Sequence, residues 1–175
     1  MRFARPILAA LALLLPAAAG AHIVFAEPQA VAGSYYAGFL RVSHGCGAAD
    51  TLSIRVEIPA GVVSARPQPK PGWTLAVEHA PLATAIKGEG GTTITQRVSA
   101  IIWTGKLPAD QFDQFGIMMK LPEAPGALYF PTVQRCTSGS NDWVNLPASP
   151  DAWHATKNPA PILTLTAPEA HHSMH

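Results

Sequence analysis

His22 is the residue whose setting points most directly to chemistry. It follows Ala19-Gly20-Ala21, small residues of the kind a signal peptidase accepts. These follow Arg2, Arg5 and an apolar run from Pro6 to Ala18. That order of charged, apolar and small residues is the pattern of a secretory signal and predicts cleavage after Ala21. The apolar run is short for a transmembrane helix; an uncleaved anchor, or a cut one or two residues away, is the rival reading. Cleavage before His22 would place a free α-amine and an imidazole Nδ1 in one residue, a ready two-nitrogen chelate. An α-amine with a reference pKa of about 7.7–8.0 keeps a deprotonated fraction at neutral pH. Nitrogen donors favour Cu(II) over lighter divalent metals, and a carboxylate would complete a tetragonal N/O set. The bland reading is that signal cleavage exposes an arbitrary first residue.

Other residue types with metal or redox chemistry are sparse. Cys46 and Cys136 are the two cysteines, and both lie beyond the signal. In an oxidising compartment they are expected to form one disulfide closing a long loop; a pair of thiolate copper ligands is the alternative, without local CxxC spacing to favour it. His44-Gly45-Cys46-Gly47 is a tight turn that sets an imidazole beside a sulfur. His154 and the tail residues His171, His172, Met174 and His175 offer loose copper capture, though a polar tail is the simpler account. Met118 and Met119 fall within a strand pattern. There is no G-x-S-x-G, H-E-x-x-H or phosphate-cradling glycine motif, and Asp110 and Asp113 have no visible acid–base partners. The chain is therefore read as a non-enzyme.

The elements that must position these residues are short strands. Residues 22–166 are read as one β-sandwich domain, 1–21 as the cleaved signal and 167–175 as a His- and Met-containing tail. Without Arg2 and Arg5, the twelve basic residues fall to ten against eleven acidic ones, a net charge near −1 with histidine neutral. No basic block points to nucleic acid, and no second apolar run reaches membrane length. The chain carries 17 prolines and 14 glycines, a composition of short elements broken by firm turns.

Tyr35 to Val42 reads as the first strand. Thr51 to Ile58 alternates with Leu52, Ile54, Val56 and Ile58 on one face. The stiff Arg66-Pro67-Gln68-Pro69-Lys70-Pro71-Gly72 stretch reads as a rigid connection, with an aromatic-groove ligand as the alternative. Trp73, Leu75 and Val77 are expected to be buried, Gly88 to Gly91 to turn, and Thr93 to Trp103 to return as a long strand. A short helical turn is expected near Ala109 to Phe112. Phe115 to Leu121, Ala127 to Val133, Trp143 to Leu146 and an edge strand at Pro161 to Thr166 complete eight or nine strands. Two antiparallel sheets packed face to face would bury the alternating faces; a closed barrel is the runner-up.

The opening HIVFAEPQAVAGSY, then RVSHGCGAADTLSIRVEIP, ARPQPKPGW and LYFPTVQRC with a nearby Trp-Val-Asn-Leu-Pro, resembles the YcnI-like family of extracytoplasmic copper-binding domains. The resemblance spans His22 to Pro147, and the combined order of HGC, PKPGW and YFPxxQxC carries it. It implies an immunoglobulin- or fibronectin-III-like antiparallel sandwich located in the periplasm. It also implies Cu(II) bound by a mature N-terminal histidine brace, with a glutamate and a nearby tryptophan. Carried onto this chain, the brace is His22 and the tryptophan is Trp143. No glutamate stands at the end of the strand that runs into His44, so His44, Asp50 and Glu27 are the candidate further donors. Each has a plainer role: a turn histidine, a turn cap and a solvated carboxylate. The implied function is Cu(II) capture and delivery to a membrane or periplasmic copper-handling protein. A metal-free adhesion or assembly module and a small copper oxidase are the alternatives.

Overall fold

The computed structural model describes residues 22–168. The expected signal and most of the tail, including His171, His172, Met174 and His175, lie outside the described residues. Twelve strands run through the described chain: β1 Val24–Phe25, β2 Gln29–Val31, β3 Tyr35–Val42, β4 Thr51–Glu57, β5 Ser64–Pro67, β6 Thr74–Lys87, β7 Thr93–Leu107, β8 Asp113–Lys120, β9 Gly126–Tyr129, β10 Thr132–Cys136, β11 Ser140–Trp143 and β12 Ile162–Thr166. They form a four-stranded sheet in the order β1-β3-β8-β5 and a five-stranded sheet in the order β11-β10-β4-β7-β6. A three-stranded sheet, β2-β12-β9, accompanies them. Every pairing is antiparallel except β12 with β2. The fold is thus the expected all-β antiparallel sandwich, stapled by a Cys46–Cys136 disulfide across a sequence separation of 90.

Alternation explains the core. Along β3, Gly38, Leu40 and Val42 are buried while their neighbours are not. On β8, Phe115, Ile117 and Met119 point inward and Met118 outward. They meet Ile54, Val56, Ile101 and Trp103 from the facing sheet, all fully buried. Trp103 lies edge-on to Phe115 at 5.4 Å and donates its indole N–H to the Gln68 carbonyl at 3.2 Å, so its polar end is satisfied inside. Trp73 is half-buried and packs on the same Phe115. Glycine is required at Gly105, because a Cβ there would stand 2.5 Å from the Trp73 ring.

Several strand expectations are corrected. A register shift between Thr51 and Ser53 slips the alternation of β4, so Thr51 is buried and Leu52 is exposed. Such a bulge inserts one residue and re-aims its neighbour. Leu75 is exposed because β6 is the edge of its sheet, and β6 continues past Glu78 to Lys87 as one arm of a long hairpin. The span Ala127 to Val133 is two strands in two sheets, separated at Phe130-Pro131. Residues 109–110 form a turn closed by the Gln111 N–H on the Pro108 carbonyl, and no helix forms over 109–112. β12 sits between β2 and β9, not at an edge. Pro150–Ala155 forms a 3-10 helix that hydrophobic periodicity does not announce.

Candidate functional site

The described chain starts at one end of the sandwich. β1 pairs with β3 in the register Val24↔Arg41 and Phe25↔Leu40. Val24 is the last paired residue of β1 toward His22, so His22 and Ile23 precede the ladder. His22 is half-buried, and Ile23 and Phe25 after it are core residues. The His22 ring lies 5.5 Å from the ring of Trp143, edge-on, and 5.0 Å from that of Trp153, tilted. Trp143 ends β11, and Trp153 is the buried residue of the 3-10 helix Pro150–Ala155. The helix starts at Pro150, whose missing N–H costs nothing at a first helical position.

Both indole N–H groups are engaged elsewhere: Trp153 donates to the Ala160 carbonyl at 2.7 Å, and Trp143 to Gln134 Oε1 at 3.4 Å. What the two tryptophans offer His22 is therefore aromatic surface. The sequence assigned Trp143 to this position but missed Trp153, which sits in the polar segment PDAWHA. Its only advance signal is a large apolar residue in an otherwise polar stretch.

Behind Trp143 stands a buried polar hub. Gln134 on β10 is 1% exposed. Its Oε1 accepts from Trp143 and, at 3.2 Å, from Asn141 Nδ2. Its Nε2 donates to the His44 carbonyl at 2.7 Å and to Thr51 Oγ1 at 2.8 Å. Thr51 Oγ1 in turn lies 3.9 Å from Cys136 Sγ. The bulge that buries Thr51 is what completes this amide. The disulfide turn, β4 and β11 are thus joined through one side chain. Replacing Gln134 by leucine should cost about 1–3 kcal/mol, because four groups lose their partner at once in a buried setting. Urea unfolding measures the cost, and a shift in tryptophan emission in the folded variant would report the loosened Trp143.

The other expected donors are placed differently. The His44 ring is half-buried, and its Nδ1 donates to the Gly45 carbonyl, which leaves the lone pair on Nε2. Asp50 accepts the Ala109 N–H at 2.9 Å and pairs with Lys106 at 3.0 Å, so it pins the loop before β4 to the loop after β7. The Lys106 hydrogen bond, then the Ala109 amide, hold its carboxyl below the usual carboxylate range. A carboxylate depressed by folding contributes stability above its unfolded pKa, about 3.9, and loses it as pH falls through the lower folded value. Asp50→Asn should therefore be less stable than the parent at pH 6 and converge with it in strong acid, as read from denaturant midpoints across pH.

Glu27 is exposed, and β1 carries it away from His22: Ala26 bonds the Phe39 carbonyl, and the Glu27 carbonyl accepts the Tyr36 hydroxyl. Burial and the nearby Glu27 charge push the Tyr36 phenol up to about 12. Among the described residues, no group of three or more His, Cys, Asp or Glu converges as a preassembled metal cage. At this end the structure places the His22 ring against Trp143 and Trp153, while the His44 ring is held in its own turn by the Gly45 carbonyl.

The family model for a domain of unknown function, DUF1775, matches residues 22–165. Its span begins at His22, in agreement with the YcnI-like resemblance. No curated protein matches the chain. A solved structure of an uncharacterized protein from Nocardia farcinica, described as having an immunoglobulin-like fold, is 27% identical. It covers 82% of this chain and 97% of that one, with a TM-score of 0.59. A type I cohesin, the seventh of ScaB from Pseudobacteroides cellulosolvens, overlaps over 88% of this chain and 97% of that one. At 11% identity and a TM-score of 0.39, it supports no inference. No helix among the described residues is long and apolar enough to cross a membrane.

Proposed function

The chain belongs to the DUF1775 family, and from that premise we propose a non-enzymatic β-sandwich binding module whose working surface is the end bearing His22. The observation that carries this reading is the seating of the His22 ring against Trp143 and Trp153. Both tryptophans are buried and fixed through their N–H groups, so the imidazole sits on a rigid aromatic wall at the start of the folded domain. A polar ring held at such a rim is poised for a ligand, because its orientation is already set before anything binds.

Two occupants are supported to different degrees. The immunoglobulin-like sandwich, taken with the lack of a three-donor group among the described residues, favours a metal-free interaction module over a preassembled copper centre. Copper capture is the finer reading. It needs no three-residue cage, since export would give His22 two adjacent nitrogen donors of its own, and Cu(II) prefers such donors. Copper would then be cargo: the open rim suits ligand exchange with a copper-handling protein of the periplasm or membrane, and flanking indoles would shield the ion from water.

Titrating the exported chain with Cu(II) while following tryptophan fluorescence separates the readings. Capture at this end predicts quenching that saturates at one equivalent and disappears in His22→Ala. A metal-free module predicts no saturable quenching in either protein.

A further inference from the structure

The outer face of the four-stranded sheet is built as a second surface, and it takes up the proline-rich stretch that the His22 end leaves unused. Strand register lays it out in three rows. Ser64, Lys120 and Tyr35 face one another across β5, β8 and β3; Arg66, Met118 and Ala37 form the next row. Gln68, whose N–H bonds the Gly116 carbonyl, forms the third with Gly116 and Phe39. Each row is two residues from the last, so all lie on the face opposite the core residues Ile117 and Met119. Tyr35 and Met118 are exposed large side chains.

This face is concave. One hollow of about 300 Å³ lies between Phe39, Gln68, Gly116 and Met118. A second of about 590 Å³ lies between Tyr35, Lys120 and the tip of the β6–β7 hairpin at Lys87 and Ile94. Arg66 and Met118 line both, so the hollows join into one trough. Gly116 keeps it open, because a Cβ there would come within 2.5 Å of Gln68 Oε1 and 3.0 Å of the Phe39 ring.

The charged residues described as lining the trough are cationic: Arg66, Lys87 and Lys120 come from three separate elements, and no Asp or Glu lines either hollow among the described residues. Arg66 and Lys87 are exposed and have no carboxylate partner among the described residues. Lys120 lies over the Tyr35 ring at 5.5 Å and shares its charge with Glu123 at 3.6 Å. The chain as a whole is close to neutral, so this local excess is not a by-product of a basic protein. Pro67 and Pro69 flank Gln68 and lack N–H groups, which makes the β5 edge a poor template for adding a peptide strand. An occupant must therefore lie across the face. Aromatic rings at Tyr35 and Phe39, four strand residues or roughly 13 Å apart, suit the apolar faces of two non-adjacent sugar rings of one oligosaccharide, with Arg66 in the row between them and Lys120 and Lys87 on the Tyr35 side for acidic substituents.

We infer that the trough across β3, β8 and β5 binds an acidic oligosaccharide. This site is independent of any ligand at His22. Affinity electrophoresis of the exported chain through gels containing polygalacturonate or neutral dextran tests it. Retardation by polygalacturonate and not by dextran is expected. Arg66→Gln and Lys87→Gln should each weaken binding roughly tenfold, the scale of one charge-assisted contact, while Lys157→Gln, outside the trough, should not. Lys87 is on the hairpin arm, so its variant keeps the test decisive if the Arg66 variant folds poorly by circular dichroism. Unretarded migration in polygalacturonate would overturn the proposal. So would equal weakening by Lys157→Gln, or equally strong binding of polyglutamate or phosphatidylglycerol vesicles, since either would mean general attraction to polyanions.

Discussion

Exchange of His22 for alanine should lower Cu(II) affinity at a one-equivalent site by more than about a hundredfold while leaving the sandwich folded. The reasoning is local. If export frees the amine of residue 22, alanine keeps that amine but loses the imidazole, so a chelate ring closed by two nitrogens falls to a single weak donor. Altering only the partner of a ligand commonly changes metal affinity about 10–100-fold, and here a ligand itself is removed. The scaffold should tolerate the change. His22 is half-buried at the rim, whereas Ile23 and Phe25, which anchor β1 in the core, are untouched. A stability loss within the usual range for rim substitutions, below about 1 kcal/mol, is expected in urea unfolding. His44→Ala provides the contrast. A drop in affinity with unchanged stability would make Nε2 a supplementary donor; unchanged affinity with lower stability would leave His44 as the turn residue bonded to Gly45.

Removing the Cys46–Cys136 disulfide should have the largest effect on stability. The double variant Cys46→Ala, Cys136→Ala frees a loop of sequence separation 90 and is expected to lose about 2–5 kcal/mol, mainly because the unfolded chain is no longer constrained. The consequence should also reach the His22 end. Cys136 adjoins Thr51, Thr51 shares the Gln134 amide, and Gln134 fixes Trp143. A stability loss measured by denaturant unfolding should therefore come with a change in tryptophan emission of the still-folded protein. Unfolding midpoints equal in the presence and absence of reductant would contradict this account of the staple.

Much of this was legible from residue patterns. Tyr35–Val42 was read at its observed boundaries because both its alternation and its flanking turn residues agree. The two cysteines were paired by compartment, and His22 with Trp143 by family resemblance. What escaped the sequence lies where tertiary demands override local pattern. Thr51 and Leu52 exchange places because a bulge serves the buried Gln134 amide, and no spacing rule announces that need. Leu75 is apolar yet exposed because strand order, not alternation, decides which strand becomes an edge. Phe130-Pro131 looks like the middle of one strand but is where the chain crosses between sheets. Trp153 was overlooked because a 3-10 helix of six residues has too few turns to show a period. Among the suggested donors, Asp50 is held by the loop contacts it makes, and Glu27 lies exposed in the bend between β1 and β2. Carboxylate identity alone cannot reveal that Asp50 is already committed to Lys106 and Ala109.

The ligand of the His22 end is tested most directly by electron paramagnetic resonance of Cu(II) added at one equivalent to two chains, one beginning at His22 and one retaining Ala21 before it. The extension leaves every side chain in place and removes only the free amine adjacent to the imidazole. Copper capture at the terminus predicts a single nitrogen-rich spectrum for the first chain and its loss in the second. The same spectrum from both, or a spectrum of unbound aqueous copper from both, would contradict it and leave this end as a metal-free interaction surface.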